Sequence, residues 1–141
     1  MAAPYKNLVA WQRADDLFIA VHRLTIEKFP KYEKFELGGQ IRRAAYSVPA
    51  NIVEGNSRQH PGESKQFLNI AAASLSEVGY GLHAALRLGY IEAATFEELD
   101  LLVRQAAAPL HGLIRRVRYG NKLLSQGLTF LFWFAMAVAI S

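Results

Sequence analysis

The feature that most constrains the fold is the helical spacing of apolar residues between Gln40 and Arg58. These residues recur at steps of three and four, which places them on one stripe of a helix; they are Ile41, Ala44, Ala45, Val48 and Ile52. Comparable spacing recurs in three other segments, and no alternating strand pattern competes with it. The sequence therefore predicts an all-α protein.

The boundaries of four helices follow from local signals. The first helix is predicted from about Tyr5 to Phe29, where Pro30 stops it, and the second from about Glu36 to Gly55, with Gly55 as a left-handed C-terminal cap. The third is predicted from Pro61 or Ser64 to about Leu88. The fourth is predicted to start at a capping box formed by Thr95 and Glu98. Short connections make neighbouring helices antiparallel, so the predicted fold is an up-down four-helix bundle with an additional apolar C-terminal segment.

The C-terminal segment differs from the rest of the 141-residue chain. The predicted domains are a bundle over residues 1–119 and an apolar tail over residues 120–141, because no charge occurs from Leu123 to Ile140. Its uninterrupted apolar part falls short of the ~20 residues that a membrane-spanning helix needs. Three interpretations remain open: a marginal membrane anchor, an extra packing helix at an oligomer interface, and an aberrant terminus without function.

Catalytic patterns are absent from the sequence. There are no cysteines, the four histidines are isolated, and no Glu-x-x-His or His-Glu-x-x-His spacing occurs. Ser47 and Ser74 lie inside predicted helices, where each hydroxyl is expected to bond back to a carbonyl one turn earlier. We therefore predict no catalytic residue, no metal site and no cofactor, and do not expect an enzyme.

Polar residues of the second helix have two interpretations. They could form a ligand or RNA site, or they could serve helix geometry and oligomer contacts, which we favour. In the structural interpretation, Asn51 satisfies the backbone group that Pro49 frees, and Glu54 pairs with Arg58 or with an arginine of another chain. The residues predicted to serve packing or oligomer contacts are Trp11, Arg42, Pro49, Asn51, Glu54 and Gly55.

Basic residues are unevenly distributed, with a net charge of +4 for the whole chain. Residues 101–122 hold five basic side chains and no acidic one, which indicates a surface for phosphate groups or anionic lipids. A second interpretation of Arg115–Arg118 is that the C-terminus of a helix attracts cations. The candidate phosphate contacts are Arg42, Arg43, Arg58, Lys65, Arg115, Arg116 and Arg118.

Several spaced motifs resemble one protein family. Residues 42–55 read Arg-Arg-Ala-x-x-Ser-x-Pro-x-Asn-Ile-x-Glu-Gly, and they are preceded by Tyr5-Lys6-x-Leu8-x-x-Trp11-Gln12 and followed by Phe67-Leu68-x-Ile70-Ala71. In this order the motifs resemble the four-helix-bundle family of the 23S rRNA intervening-sequence proteins, over about Tyr5 to Val117. The resemblance implies a homo-oligomer, by known examples a ring-shaped pentamer. Accessory variability determinant proteins of diversity-generating retroelements, basic proteins that bind nucleic acid, are distantly similar.

The function predicted from the sequence is that of a non-enzymatic, self-assembling bundle whose basic surface binds RNA or a nucleic-acid-containing complex. One alternative is a purely structural protein–protein interaction module, with the arginines used in pairs between subunits. Another is a membrane-tethered adaptor that uses Leu123–Ile140. The predicted location is the cytoplasm, with membrane association through the tail as the alternative.

Overall fold

Four helices form a closed bundle. The computed structural model of the chain describes residues 3–139, except for the side chains of residues 119, 121–125, 130 and 132–139. After a 3-10 turn at Pro4–Asn7 come α1 (Val9–Lys28), α2 (Leu37–Ser57), α3 (Pro61–Arg87) and α4 (Ala93–Ala139), and no strand occurs among the described residues. Contacts join α1 to α2, α2 to α3, α3 to α4, and α4 back to α1. This confirms the predicted all-α, up-down four-helix bundle.

The core is formed by one apolar stripe from each helix. In α2 all five residues of the predicted stripe are buried. In α1 the buried face is turned from the predicted one: Leu17 is fully buried, whereas Trp11 and Phe18 are only partly buried at the edge of the core. In α3 the core position is Leu68 rather than Phe67 or Ile70, and Ile70 is 44% exposed. Periodicity predicted the stripes, but the orientation of α1 depends on where its two neighbours lie.

Two predicted helix termini are wrong. α2 continues to Ser57, so Gly55 is helical and buried; a Cβ at this position would lie 3.1 Å from the carbonyl oxygen of Ser64. Gly55 therefore allows α3 to approach closely rather than capping α2. α4 begins at Ala93, so Thr95 lies in its first turn and cannot form the capping box with Glu98. Gly89, with φ of +76°, provides the left-handed residue after α3.

The C-terminal segment continues α4. The helix passes residue 119 without a break and extends to Ala139, and the side chains of Leu128 and Leu131 are 69% and 65% exposed. Within the described residues, no helix combines the length and apolarity needed to cross a membrane. Most side chains of the tail lie outside the described residues. The division of the chain at residue 119 and the three interpretations of the tail therefore stay predictions.

Candidate nucleic-acid interface

Five of the seven candidate phosphate contacts come together at one end of the bundle. We call this the α2–α3 end, because α2 ends there and α3 begins there. α1 also begins at this end, where Leu8 and Val9 line a cavity together with Leu113 and Arg116 of α4. The candidates placed here by the order of the helices are Arg58, Lys65, Arg115, Arg116 and Arg118.

Charge is segregated along α4. Its described acidic residues, Glu97, Glu98 and Asp100, all lie within its first eight residues, Ala93–Asp100. From there to residue 118 the only charged side chains are arginines, and Arg104 pairs with Asp100 at 3.0 Å. Arg115, Arg116 and Arg118 are exposed. Because α4 continues for about twenty residues beyond them, these arginines do not lie at a helix C-terminus, and the interpretation through the C-terminal dipole is wrong.

Arg58 is held by two neighbours at the α2–α3 end. Its Nη2 lies 3.0 Å from Oε2 of Glu54, and its guanidinium lies 4.7 Å from the centre of the Phe67 ring. The first contact confirms the predicted (i, i+4) pair. Both side chains of the pair are substantially exposed, so the pair contributes about 0.3–0.5 kcal/mol to stability at most. Phe67 thus orients the guanidinium of Arg58 across the α2–α3 boundary.

Arg42 lies inside its own subunit, toward the opposite end. The guanidinium donates to the hydroxyl of Thr25 on α1 (Nη1, 3.0 Å) and to the carbonyl oxygen of Lys34 in the α1–α2 link (Nη2, 2.8 Å). Thr25 is fully buried and itself donates to the carbonyl oxygen of Val21 at 2.9 Å. Arg42 therefore ties the start of α2 to α1 and to the link. The roles in phosphate binding and in oligomer contacts predicted for it stay predictions.

Arg43 points out of the bundle beside Arg42. It is exposed, and it borders both the groove between α1 and α2 and a depression between α2 and α3 that Gln40 and Glu77 also line. Among the described residues, no carboxylate oxygen lies within 4.0 Å of the guanidinium of either arginine. The pair thus contributes two positive charges that no close carboxylate balances.

A small polar network crosses from α2 to α3 next to Pro49, which is buried within α2. Asn51 Nδ2 donates to the carbonyl oxygen of Ser47 at 2.7 Å and to its hydroxyl at 2.9 Å, and the Ser74 hydroxyl donates to that of Ser47 at 2.8 Å. The predicted contact of Asn51 is wrong, because Pro49 frees the carbonyl of Ala45, which lies too far back for this side chain. The predicted Ser74 bond within its own helix is also wrong, because the two hydroxyls bond each other between helices.

Trp11 lies beside the start of the bundle. It is partly buried against the core, and its ring meets that of Tyr5 edge-on, with the centroids 5.1 Å apart. This contact packs the 3-10 turn onto α1. The oligomer role that the sequence suggested for Trp11 stays a prediction, as do those of Pro49, Asn51, Glu54 and Gly55.

Glu33 joins the two links at the end of the bundle opposite the α2–α3 end, which sequence analysis missed. Its Oε2 accepts from the backbone N–H of Leu37, the first residue of α2, at 3.1 Å, and its Oε1 accepts from the Tyr90 hydroxyl at 2.9 Å. The carboxylate thus satisfies a free N–H group of α2 and interacts favourably with its N-terminal dipole. Glu33 and Tyr90 lie far apart in the chain, and no local pattern indicates that they meet.

The Glu33 contact makes the contribution of Tyr90 to stability depend on pH. The hydrogen bond to Glu33, with some desolvation, raises the pKa of Tyr90 from 10.0 to about 12. A raised pKa in the folded state means that this contribution is fully present below about pH 10 and is lost as the pH rises through about 12. We expect Tyr90→Phe to lower the melting temperature at about pH 8 and to show a smaller fall than the wild type at higher pH. Parallel curves for the two proteins between these pH values would contradict this prediction.

Groups that could hold a metal ion do not occur in the described part of the chain: no three histidine, aspartate or glutamate side chains come together there. Its largest polar feature is the basic surface at the α2–α3 end, with Arg42 and Arg43 forming a second, smaller cluster.

Comparison with known proteins gives the family. Residues 6–112 match the model of the family described as 23S rRNA-intervening sequence protein. A crystal structure of a protein of unknown function from Bacteroides thetaiotaomicron, assigned to the S23 ribosomal protein family, superposes with a TM-score of 0.70 at 24% identity. The alignment covers 75% of this chain and 98% of that one, and at this identity it supports the fold alone. No curated protein matches the chain. Since the family model spans most of the bundle, from the start of the chain into α4, this chain belongs to the family of 23S rRNA-intervening sequence proteins.

Proposed function

We propose that this chain is a non-enzymatic binding protein that self-assembles and binds RNA, or a complex that contains RNA, at the α2–α3 end of the bundle. The observation that carries the proposal is the charge segregation along α4, which leaves Arg115, Arg116 and Arg118 exposed at that end. Arg58 and Lys65 add to them from the turn between α2 and α3. A surface with clustered cations and few acids attracts the phosphate backbone of nucleic acids.

The non-enzymatic part of the proposal has a separate basis. The two serines within the bundle, Ser47 and Ser74, bond each other and Asn51, so neither hydroxyl has a basic partner that would make it a nucleophile. The arginines at the α2–α3 end act as fixed charges, because a guanidinium stays protonated in proteins. Such a surface binds phosphate but transfers no proton.

Salt dependence of RNA binding tests the proposal. We expect the full chain to bind a fluorescein-labelled RNA at low ionic strength and to lose affinity steeply as salt rises. The triple variant Arg115→Gln, Arg116→Gln, Arg118→Gln should bind at least about tenfold more weakly and show a shallower salt dependence, by about 0.7 per lost phosphate contact on single strands. Fluorescence anisotropy over a series of salt concentrations measures both quantities.

The matched control removes the same charge from the opposite end of the bundle. Arg23, Lys31 and Arg87 are exposed there, and their replacement with glutamine should leave affinity and salt dependence close to those of the wild type. Equal losses for the two triple variants would mean that only net charge matters, and absence of binding at low salt would end the RNA proposal.

The alternative is a purely structural module that pairs these arginines with acids of neighbouring subunits. Exposed apolar side chains support self-assembly in either case, since Phe35 is 77% exposed and Leu128 and Leu131 lie on the exposed part of α4. Light scattering on the two triple variants separates the alternatives. A mass that falls only in the Arg115, Arg116 and Arg118 variant favours the structural module, whereas an unchanged mass with weakened RNA binding favours our proposal.

A further inference from the structure

A groove between α1 and α2 combines aromatic rings with guanidinium groups. Its volume is about 360 Å³, toward the lower end of the roughly 300–1,000 Å³ typical of small-molecule sites. The residues that line it, two from α1 and four from α2, are Phe18, His22, Gly39, Arg42, Arg43 and Tyr46. Only the two arginines were predicted from the sequence, and the proposal for the α2–α3 end does not involve this face.

The aromatic wall leaves a ring accessible to a planar ligand. Phe18 meets Tyr46 edge-on with the centroids 5.6 Å apart, and meets His22 edge-on at 5.9 Å. Phe18 is half-buried, whereas Tyr46 is 60% exposed. Contact with Phe18 thus restrains the ring of Tyr46 while most of its surface remains open to solvent.

The cationic wall stands over Gly39. Arg43 Nη1 and Arg42 Nη2 lie 3.4 and 3.8 Å from the place where a Cβ on this glycine would be, so both guanidinium groups lie next to the same backbone position. Arg42 is fixed there by two neutral acceptors, the Thr25 hydroxyl and the Lys34 carbonyl, which leave its positive charge unbalanced. Two adjacent guanidinium groups without a close carboxylate attract an anion.

The acidic residues that border this region have other partners. The Glu33 carboxylate accepts from the Leu37 N–H and the Tyr90 hydroxyl, and Glu77, across the α2–α3 face, accepts from Gln40 at 3.5 Å. Asp15 lies one turn before Phe18 on α1 and is the carboxylate that a ligand extending toward the α2–α3 end would approach. The groove itself is lined by cations, aromatic rings and a glycine.

We propose that this groove binds one unpaired nucleotide of an RNA strand, with the base against Tyr46 and Phe18 and a phosphate on Arg43. The inference rests on the proposed function and specifies its ligand as single-stranded RNA. A base within a duplex has both of its faces covered by stacking, whereas an unpaired base exposes a face to an aromatic side chain. Arg42 positions the site by holding α2 against α1, and Arg43 contacts the phosphate.

The test compares a single strand with a duplex. We expect the full chain to bind labelled decauridylate more tightly than a ten-base-pair RNA duplex, and Tyr46→Ala to weaken binding of the single strand by about fivefold or more. Binding of the duplex should not change. Because Tyr46→Ala removes no charge, the salt dependence of binding should remain that of the wild type. Tyr46→Phe keeps the ring and should bind as the wild type does.

Tyr80→Ala is the matched control, because Tyr80 is 72% exposed on α3, away from this groove. If Tyr46→Ala and Tyr80→Ala bind decauridylate equally well, the groove proposal is overturned while the RNA-binding function stands. If the wild type binds neither RNA at low salt, both are overturned. If Tyr46→Ala lowers the mass of the assembly in light scattering without changing affinity for RNA, the groove is a contact between subunits and the proposal is wrong.

Discussion

Arg42→Met is expected to lower the free energy of unfolding by about 2–3 kcal/mol, because it removes two hydrogen bonds from a charged donor. The Met side chain preserves most of the apolar stem, so the change isolates the guanidinium. The hydroxyl of the buried Thr25 loses its donor, and so does the carbonyl of Lys34, in a region where the α1–α2 link depends on this contact. Arg42→Lys should fall between the two, since an ammonium does not reproduce the planar geometry that reaches both acceptors.

Arg43→Met is the matched control, with the same substitution one residue further along the helix. Arg43 is exposed, so we expect a change within about 0.5 kcal/mol. Urea denaturation at one fixed protein concentration measures both variants, because an oligomer's stability depends on concentration. Equal effects at the two positions would show that the contacts of Arg42 with Thr25 and Lys34 contribute little.

Gly81→Ala is expected to destabilise the bundle by about 1–2 kcal/mol, although alanine is the better helix former by up to ~1 kcal/mol. A Cβ on Gly81 would lie 2.6 Å from Cγ1 and 3.1 Å from Cδ1 of Ile41 on α2. Ile41 is only 1% exposed, so its side chain has little room to move away. Overpacking in such a site typically costs 1–3 kcal/mol, which outweighs the gain in helix propensity.

Gly79→Ala reverses the expected sign on the same helix. A Cβ there would meet Val103 of α4 at 3.9 Å, an ordinary van der Waals distance, so the helix propensity of alanine should raise stability by up to ~1 kcal/mol. Denaturation of the two variants in parallel gives the difference directly. A stabilised Gly81→Ala variant would mean that α2 and α3 separate at this point without cost.

Most of the fold follows from local patterns. Helical spacing predicted four helices, Pro30 predicted the end of α1, and the apolar stripe of α2 was predicted residue by residue. The errors lie where neighbouring helices decide. Gly55 looked like a cap because its sequence context ends a helical pattern, but contact with Ser64 and Leu68 of α3 keeps it inside α2. Thr95 carries a capping box in sequence, yet α4 begins two residues earlier.

The candidate interface was predicted in composition but not in arrangement. The unequal charge of residues 101–122 is visible in the sequence, and so is the Arg42–Arg43 pair. The sequence did not predict that Arg42 bonds Thr25 and Lys34 whereas Arg43 borders an aromatic groove. An Arg and a Tyr three positions apart, as in Arg43 and Tyr46, share a helix face, and this spacing was the available local signal for the groove.

By itself, the sequence determined the helices, their order, the family motifs and the excess of basic residues toward the end of the bundle. These depend on spacing along one chain, which fixes which residues share a helix face. Only the tertiary structure decided which arginine is internal, which carboxylate caps α2, and which aromatic rings face a cation. Those contacts join residues far apart in the chain, such as Glu33 with Tyr90, and depend on how four helices rotate to bury their stripes together.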